Sequence, residues 1–317
     1  MSNLTKRILT AVVLLALFIA ALVVNTPLPF FLLTLLMIGA GAWEWSRLNG
    51  WAGWRAWASG VVCVACAAGL HILIYDPAFN DFPGSIWPLV VNFIGMTFCV
   101  VFLFWIIGGP WLLWLGVARW PALPRWLRWC IGMAALVVAW FALAAAYLQG
   151  VNFLLSILAL VWAADIGAYA FGRALGGKLT GGRKLAPTIS PGKTWEGAVG
   201  GFICVLLVGA VWIWFDSLPS PNRYPVEWQV PHCSPLVPSL YTVLWHFSPI
   251  LFLFGLAFLT AMSIVGDLFE SLVKRAAGVK DSSQLLPGHG GVLDRIDALL
   301  PTLPLAVLVN LLLATIC

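Results

Sequence analysis

Residues 130–148, CIGMAALVVAWFALAAAYL, and 151–172, VNFLLSILALVWAADIGAYAFG, follow each other almost without a break, and Asp165 is their one charged residue. Each is long enough to cross a bilayer core, which takes roughly 17 to 25 helical residues. Lipid holds no water to satisfy open backbone, so these spans must be helices. Similar apolar runs lie near 8–24, 56–75, 86–107, 196–215, 244–266 and 292–316, with a shorter one near 28–42. The expected fold is an all-α polytopic integral membrane protein of about nine transmembrane helices. A hydrophobic content of 62% and a mean hydropathy of +0.98 exclude a soluble domain built around a core.

Lys and Arg gather in cytoplasmic loops of membrane proteins. With nine spans and a cytoplasmic N-terminus, 16 of the 17 Lys and Arg fall on the cytoplasmic side, and only Arg223 falls opposite. The polar segments 173–195 and 267–297 then both face the cytoplasm. The net charge of +5 suits anionic lipid head groups. Nucleic acid is not an expected partner, since no basic face is interleaved with exposed aromatics. Lys6-Arg7 and the apolar run after it read as a retained first helix, because no small-x-small site closes the run before Asn25.

One membrane domain is expected, with plain helices over 1–150 and the chemistry carried over 151–317. The Trp-rich stretches Trp43–Trp57 and Trp105–Trp129 read as interfacial anchors. Cys63 and Cys66 form a CxxC in mid-helix, where small apolar packing is the simpler reading. In the proline-rich loop 216–243, His232-Cys233 offers two ligand types but no metal site.

Charge is concentrated in one stretch, SLVKRAAGVKDSSQLLPGHGGVLDRID, residues 271–297, although only 9% of the chain is charged. An ionised group at the bilayer centre costs about 2.5 to 3.5 kcal/mol even on the mildest scale, so such residues mark function by default. Met262 to Gly278 reads as a helix, with Asp267, Ser271 and Lys274 on one face and Glu270 and Arg275 flanking it. Asp294 and Asp297 share a face of the next helix. If the two helices pack together, three carboxylates converge beside cations, which is what a magnesium–nucleotide triphosphate requires. Spacing alone leaves open a salt-bridge network, such as Asp294 with Arg295 or Asp267 with Lys274. Pro287-Gly288-His289-Gly290-Gly291 offers a turn whose backbone can approach a phosphate closely. His289 is open to a proton-transfer role or to simple hydrogen bonding.

A second polar run extends from Asp165 to Ser190-Pro191-Gly192-Lys193-Thr194-Trp195-Glu196-Gly197. It is no Walker loop, for it lacks the upstream glycine and the preceding strand. Lys193 and Thr194 at a helix start still suit phosphate. A helix-end hydrogen bond is the plain alternative for Asp165, and a solvated loop is the alternative for Arg183-Lys184.

These two blocks resemble the phosphatidate cytidylyltransferases, the CDP-diacylglycerol synthases. Ser271, Lys274, Arg275, Lys280, Asp281, His289, Gly290, Gly291, Asp294, Arg295 and Asp297 stand at the family's signature positions. Ser-Pro-Gly-Lys-Thr-Trp, ahead of a helix and behind a membrane-end Asp165, resembles its other block. Ile166, Gly176-Gly177 and Gly181-Gly182 depart from that pattern. The resemblance implies CTP and phosphatidate as substrates, membrane lipids as surroundings and CDP-diacylglycerol and pyrophosphate as products.

With the resemblance, Asp267, Asp294 and Asp297 are the expected Mg²⁺ ligands, with room for a second cation. Lys193, Lys274, Arg275, Lys280, Asp281, His289 and Arg295 are expected to be catalytic. Asp165, Ser190, Thr194, Ser271, Gly290 and Gly291 are expected to bind substrate. A bacterial inner membrane, with the site facing the cytoplasm, is the implied location, and a homodimer is left open. The rivals are a CTP-dependent lipid kinase and an ion-coupled transporter, though a transporter would place its charges at the midplane. An alcohol-phosphotransferase is disfavoured, because its Asp-Gly-x-x-Ala-Arg pattern is absent.

Overall fold

The computed structural model describes residues 3–24, 26–75, 87–218 and 238–314. The helices are α1 (Asn3–Val23), α2 (Leu28–Leu48), α3 (Trp54–Tyr75), α4 (Trp87–Leu103), α5 (Gly109–Leu115), α6 (Arg125–Gln149), α7 (Val151–Leu175), α8 (Trp195–Ser217), α9 (Leu240–Phe247), α10 (Pro249–Ala276), α11 (Leu293–Ile296) and α12 (Leu299–Ala314). Strands β1 (Lys184–Ala186) and β2 (Ser190–Thr194) form an antiparallel hairpin, with Lys184 opposite Thr194 and Ala186 opposite Ser190. Among the described residues, eight helical stretches are long and apolar enough to cross a membrane, and Arg7–Val23 within α1 is apolar but shorter. The chain is an all-α polytopic membrane protein. His232 and Cys233 lie outside the described residues.

The chain forms two compact units: Met1–Phe141 with Phe269–Asp297, and Ala142–Leu268 with Ala298–Cys317. The charged segment therefore groups with the N-terminal helices.

In the first unit, Pro110 has no N–H for the carbonyl of Ile106, and the helix widens there into a π turn over Phe104–Gly108. Phe104 and Trp105 pack edge-on against Phe269, which also meets Trp120 and Trp45, with ring centroids 5.3 to 6.3 Å apart. Trp45, Trp105 and Trp120 are buried. They are core residues, contrary to the anchoring expected of them. Buried indoles need acceptors, and Trp45 Nε1 donates to the Arg128 carbonyl at 2.9 Å while Trp120 Nε1 donates to Asn49 Oδ1 at 2.9 Å. Trp54, Trp57, Trp111, Trp114 and Trp126 remain exposed, as anchors should.

The stop signal expected at Gly278 is present. Its φ is +73°, Gly278 N–H donates to the Arg275 carbonyl and Val279 N–H to that of Lys274, both at 3.0 Å. The single helix expected from residue 292 is instead the short α11, a break at Asp297-Ala298, and α12. Pro301 has no N–H to offer the carbonyl four residues back, and that accounts for the break.

In the second unit, α7 and α8 pack at close range. A methyl group added at Gly197 would stand 2.8 Å from the Ala168 carbonyl oxygen, and one at Gly201 would stand 2.7 Å from that of Ala164. The Gly197-x-x-x-Gly201 spacing thus serves as a small-residue contact between membrane helices. Thr194 caps α8, its Oγ1 accepting from Gly197 N–H at 3.1 Å. At the far end of α8, Asp216 accepts from Asn152, Ser239 N–H and Thr242 Oγ1, closing that end onto α9.

Candidate active site

Lys274, Gly291, Asp294 and Asp297, all expected at the site, meet in the first unit. The ammonium of Lys274, on α10, lies 2.6 Å from Asp294 Oδ1 and also contacts Glu270 Oε2, one turn back on the same helix. The other oxygen of Asp294 accepts from Ser282 N–H at 3.0 Å, Ser282 Oγ at 2.9 Å and Gly291 N–H at 2.7 Å. Asp294 therefore ties α11 both to α10 and to the loop that precedes it. Asp297 stands near enough for its charge to bear on Glu270. Of the two salt bridges open at the sequence level, neither forms as drawn. Lys274 takes Asp294, whereas Arg295 donates to the His289 carbonyl at 2.7 and 3.1 Å.

Residues 281–291 fold back over this cluster. Leu286 N–H donates to the Gly290 carbonyl at 2.9 Å and His289 N–H to that of Leu286 at 2.9 Å, with Gly288 and Gly290 at φ +78° and +81°. A β-carbon at Gly290 would fall 2.7 Å from Asp294 Oδ2, so a side chain is excluded there. From α1, Arg7 donates to the Gly288 carbonyl at 2.9 Å and Thr10 to that of Pro287 at 3.0 Å. His289 Nδ1 is buried with no hydrogen-bond partner among the described residues. Arg275 donates to the Val279 carbonyl at 3.2 Å, and Lys280 and Asp281 are exposed beside it. Ser271 lies on α10 between Glu270 and Lys274.

A different set of residues gathers in the second unit. Lys193, at the end of β2, pairs with Asp267 at 2.5 Å, and both side chains remain partly open to solvent. Ser190 opens β2, and Thr194, expected to touch substrate, spends its hydroxyl on capping α8. Asp165 is exposed in mid-helix, ten residues before α7 ends, so the helix-end reading of it does not hold.

Besides Asp216, two buried carboxylates escaped the sequence reading. Glu196, in the first turn of α8, accepts through Oε1 from Gly177 N–H and Thr180 N–H at 3.0 Å and from Thr180 Oγ1 at 2.8 Å. Glu44, on α2, does the same for the loop before α11. The signal for both was an acid set alone at the edge of an apolar span.

Among the described residues, no group of three or more His, Cys, Asp or Glu side chains is arranged as a metal cage. The first unit nonetheless suits a hard cation. Glu270 is 2% exposed and no hydrogen-bond donor among the described residues reaches its Oε1, while the carboxyl of Asp294 is in contact with it. Two buried carboxyls side by side, with one lysine between them and Asp297 nearby, gather several hard oxygen donors at one place. Magnesium takes a few carboxylate oxygens and fills its shell with water and phosphate, so this donor set fits it.

Comparison with known proteins agrees with the family resemblance. A protein of Pseudomonas aeruginosa named phosphatidate cytidylyltransferase is 33% identical over 303 residues, covering 95% of this chain and 94% of that protein. Proteins of the same name from Haemophilus influenzae and Staphylococcus saprophyticus are 43% and 40% identical over about half of this chain and somewhat under half of their own length. The profile of the Cytidylyltransferase family matches residues 5–313, and the chain belongs to that family.

Proposed function

We propose that this protein transfers the cytidylyl group of CTP to phosphatidate, giving CDP-diacylglycerol and pyrophosphate in phospholipid synthesis. A phosphate oxygen of phosphatidate attacks the α-phosphorus of CTP. The bond from that phosphorus to the oxygen bridging it to the β-phosphorus breaks, and its electron pair leaves with pyrophosphate. The observation that carries the reading is the cluster of Glu270, Lys274, Asp294 and Asp297 under a glycine loop, in a chain matched to the family over 309 of its residues.

Both substrates are polyanions, so the main barrier is charge repulsion together with charge growing on the leaving group. Magnesium, when bound, would draw charge from the phosphates. Asp294 and Asp297, with Glu270 added to them, are its proposed ligands in the first unit, and Asp267 carries the same proposal in the second. Lys274 is already neutralised by two carboxylates, and its proposed role is to hold Asp294 in place. Lys193, Lys280, Arg275 and Arg295 are the proposed phosphate-binding cations. A guanidinium carries five N–H groups in a planar fork that matches phosphate oxygens. Lys193 reaches phosphate by exchanging it for Asp267.

The proposed setting is a bacterial inner membrane with both polar blocks in the cytoplasm, where CTP is found. Purified protein given phosphatidate, Mg²⁺ and CTP labelled either in cytidine or in the γ-phosphate tests the reaction. Cytidine label in lipid and γ-label in pyrophosphate support it. Label in lipid from the γ-phosphate alone would make the protein a lipid kinase instead.

A further inference from the structure

The carboxylate of Glu44 is fully buried on α2, and four donors surround it. Ser283 Oγ lies at 2.5 Å, Leu293 N–H at 2.6 Å, Val292 N–H at 3.0 Å and Ser282 Oγ at 3.2 Å. The donors come from both ends of the 282–293 loop and from the start of α11, some 240 residues away along the chain. No cation pairs with Glu44 among the described residues; hydrogen bonds alone hold its charge. Such bonds to a charged acceptor are stronger than neutral ones, and three of them, with the Ser282 hydroxyl shared with Asp294, fix a loop in place.

Its neighbours show how closely the site is built around it. A β-carbon at Gly291 would stand 2.4 Å from Glu44 Oε1 and 2.0 Å from Ser282 Oγ, so no side chain fits there while Glu44 holds its position. Ser282 Oγ is shared, lying within hydrogen-bond distance of Glu44 Oε2 and, at 2.9 Å, of Asp294 Oδ2. A continuous path thus runs from Glu44 through Ser282 to Asp294 and on to Lys274.

We infer that Glu44 is a positioning residue for cytidylyl transfer, setting the place of the Asp294 carboxylate and of the Gly290-Gly291 turn through Ser282 and the α11 amides. The inference rests on the reading of Asp294 as a metal-binding residue of this reaction. Glutamine at 44 keeps the shape but puts an NH₂ where an oxygen accepted, so that one α11-end amide, Val292 or Leu293 N–H, meets a donor and the serine hydroxyl beside it must turn round to accept. Outer residues that orient metal ligands typically change metal affinity or activity by about 10- to 100-fold.

The full-length protein in lipid nanodiscs is the test material, as wild type, Glu44→Gln, Glu44→Asp, Ser282→Ala and the Glu44→Gln/Ser282→Ala pair. Lipid-bound cytidine is measured against Mg²⁺ concentration, per mole of folded protein. Expected are a fall in kcat of about tenfold or more in Glu44→Gln, a severalfold higher Mg²⁺ requirement, and partial recovery in Glu44→Asp. The paired variant should be hardly worse than Glu44→Gln alone, since both changes cut one path. Without substrate, the rise in unfolding temperature caused by Mg²⁺ should shrink in Glu44→Gln and in Ser282→Ala. An unchanged kcat and Mg²⁺ requirement in folded Glu44→Gln would overturn the inference. So would additive losses in the pair, which would give Glu44 a merely structural part. Should Glu44→Gln fail to fold, Ser282→Ala decides, and a normal Mg²⁺ response there overturns it equally. If the wild type forms no CDP-diacylglycerol, the reading of the reaction fails, and the thermal response to Mg²⁺ still judges Glu44.

Discussion

Lys274 Nζ lies 2.6 Å from Asp294 Oδ1, joining the last turns of one membrane helix to the first turn of the next charged segment. Both side chains are largely buried, and Glu270 completes the group. Removing one partner from a buried ion pair costs about 3 to 5 kcal/mol, because the other charge is left without compensation. Lys274→Ala should accordingly lower the unfolding temperature in detergent by several degrees and abolish transfer. Wild-type stability in that variant would mean that the triad carries little of the fold.

Lys193 and Asp267 make the opposite kind of pair, open to water and worth at most about 1 kcal/mol. Lys193→Ala should leave thermal stability nearly unchanged while transfer falls on the order of 100-fold, the scale for losing a group that meets charge in the transition state. Thermal unfolding and initial rates on the same preparation separate the two effects. A matched fall in both would assign Lys193 to the fold.

Asp294→Asn and Asp297→Asn each keep the shape of the side chain and lose its charge. Transfer should drop by about 100-fold or more in each, with a raised Mg²⁺ requirement in whatever rate remains. Asp294 also fastens the loop through Ser282 and Gly291, so unfolding temperature is measured beside turnover in both variants. Normal turnover and normal Mg²⁺ dependence in Asp297→Asn would remove that residue from the proposed metal site.

Lys280 and Arg119 are both exposed cations, yet only Lys280 lies beside the glycine loop. Lys280→Ala should lose most activity, and Lys280→Arg should restore part of it, since the guanidinium keeps the charge but changes reach and donor geometry. Arg119→Ala should retain nearly full specific activity. Equal losses in Lys280→Ala and Arg119→Ala, at equal folded protein, would erase the distinction between phosphate-binding and anchoring cations.

Orientation is open to direct labelling. Leu179 and Ser217 are exposed near opposite ends of α8. In a variant whose seven cysteines are replaced, a cysteine at 179 should react only after the membrane is made permeable, and one at 217 should react with impermeant reagent in intact cells. The reverse pattern would overturn the cytoplasmic placement of the active site.

Much of this was legible in the chain, and the remainder was hidden for physical reasons. Spans show as apolar length, and Gly278 announces the end of α10 because a glycine tolerates the left-handed turn a helix end needs. That charges over 271–297 gather at one place could be anticipated from their local density, but the pairing of Lys274 with Asp294 was not the one drawn. Glu44 could not be anticipated, since its partners lie far along the chain and no local spacing encodes them. Trp45 and Trp120 misled for a related reason: an indole beside arginines looks alike whether it faces lipid or Phe269. The break after Asp297 was written in Pro301, but the strength of the surrounding apolar pattern masked it.

Glu44 and Glu196 secure their loops through neutral amide and hydroxyl donors. Dissolved ions screen interactions between exposed charges, with a reach of about 8 Å at physiological ionic strength, but have little purchase on buried hydrogen bonds. The frames of both loops should therefore ignore the ionic strength of the surrounding solution, while the solvent-open Lys193–Asp267 contact loosens as salt rises. A cell under osmotic stress would then keep both loops in shape while its rising salt freed Lys193 from Asp267.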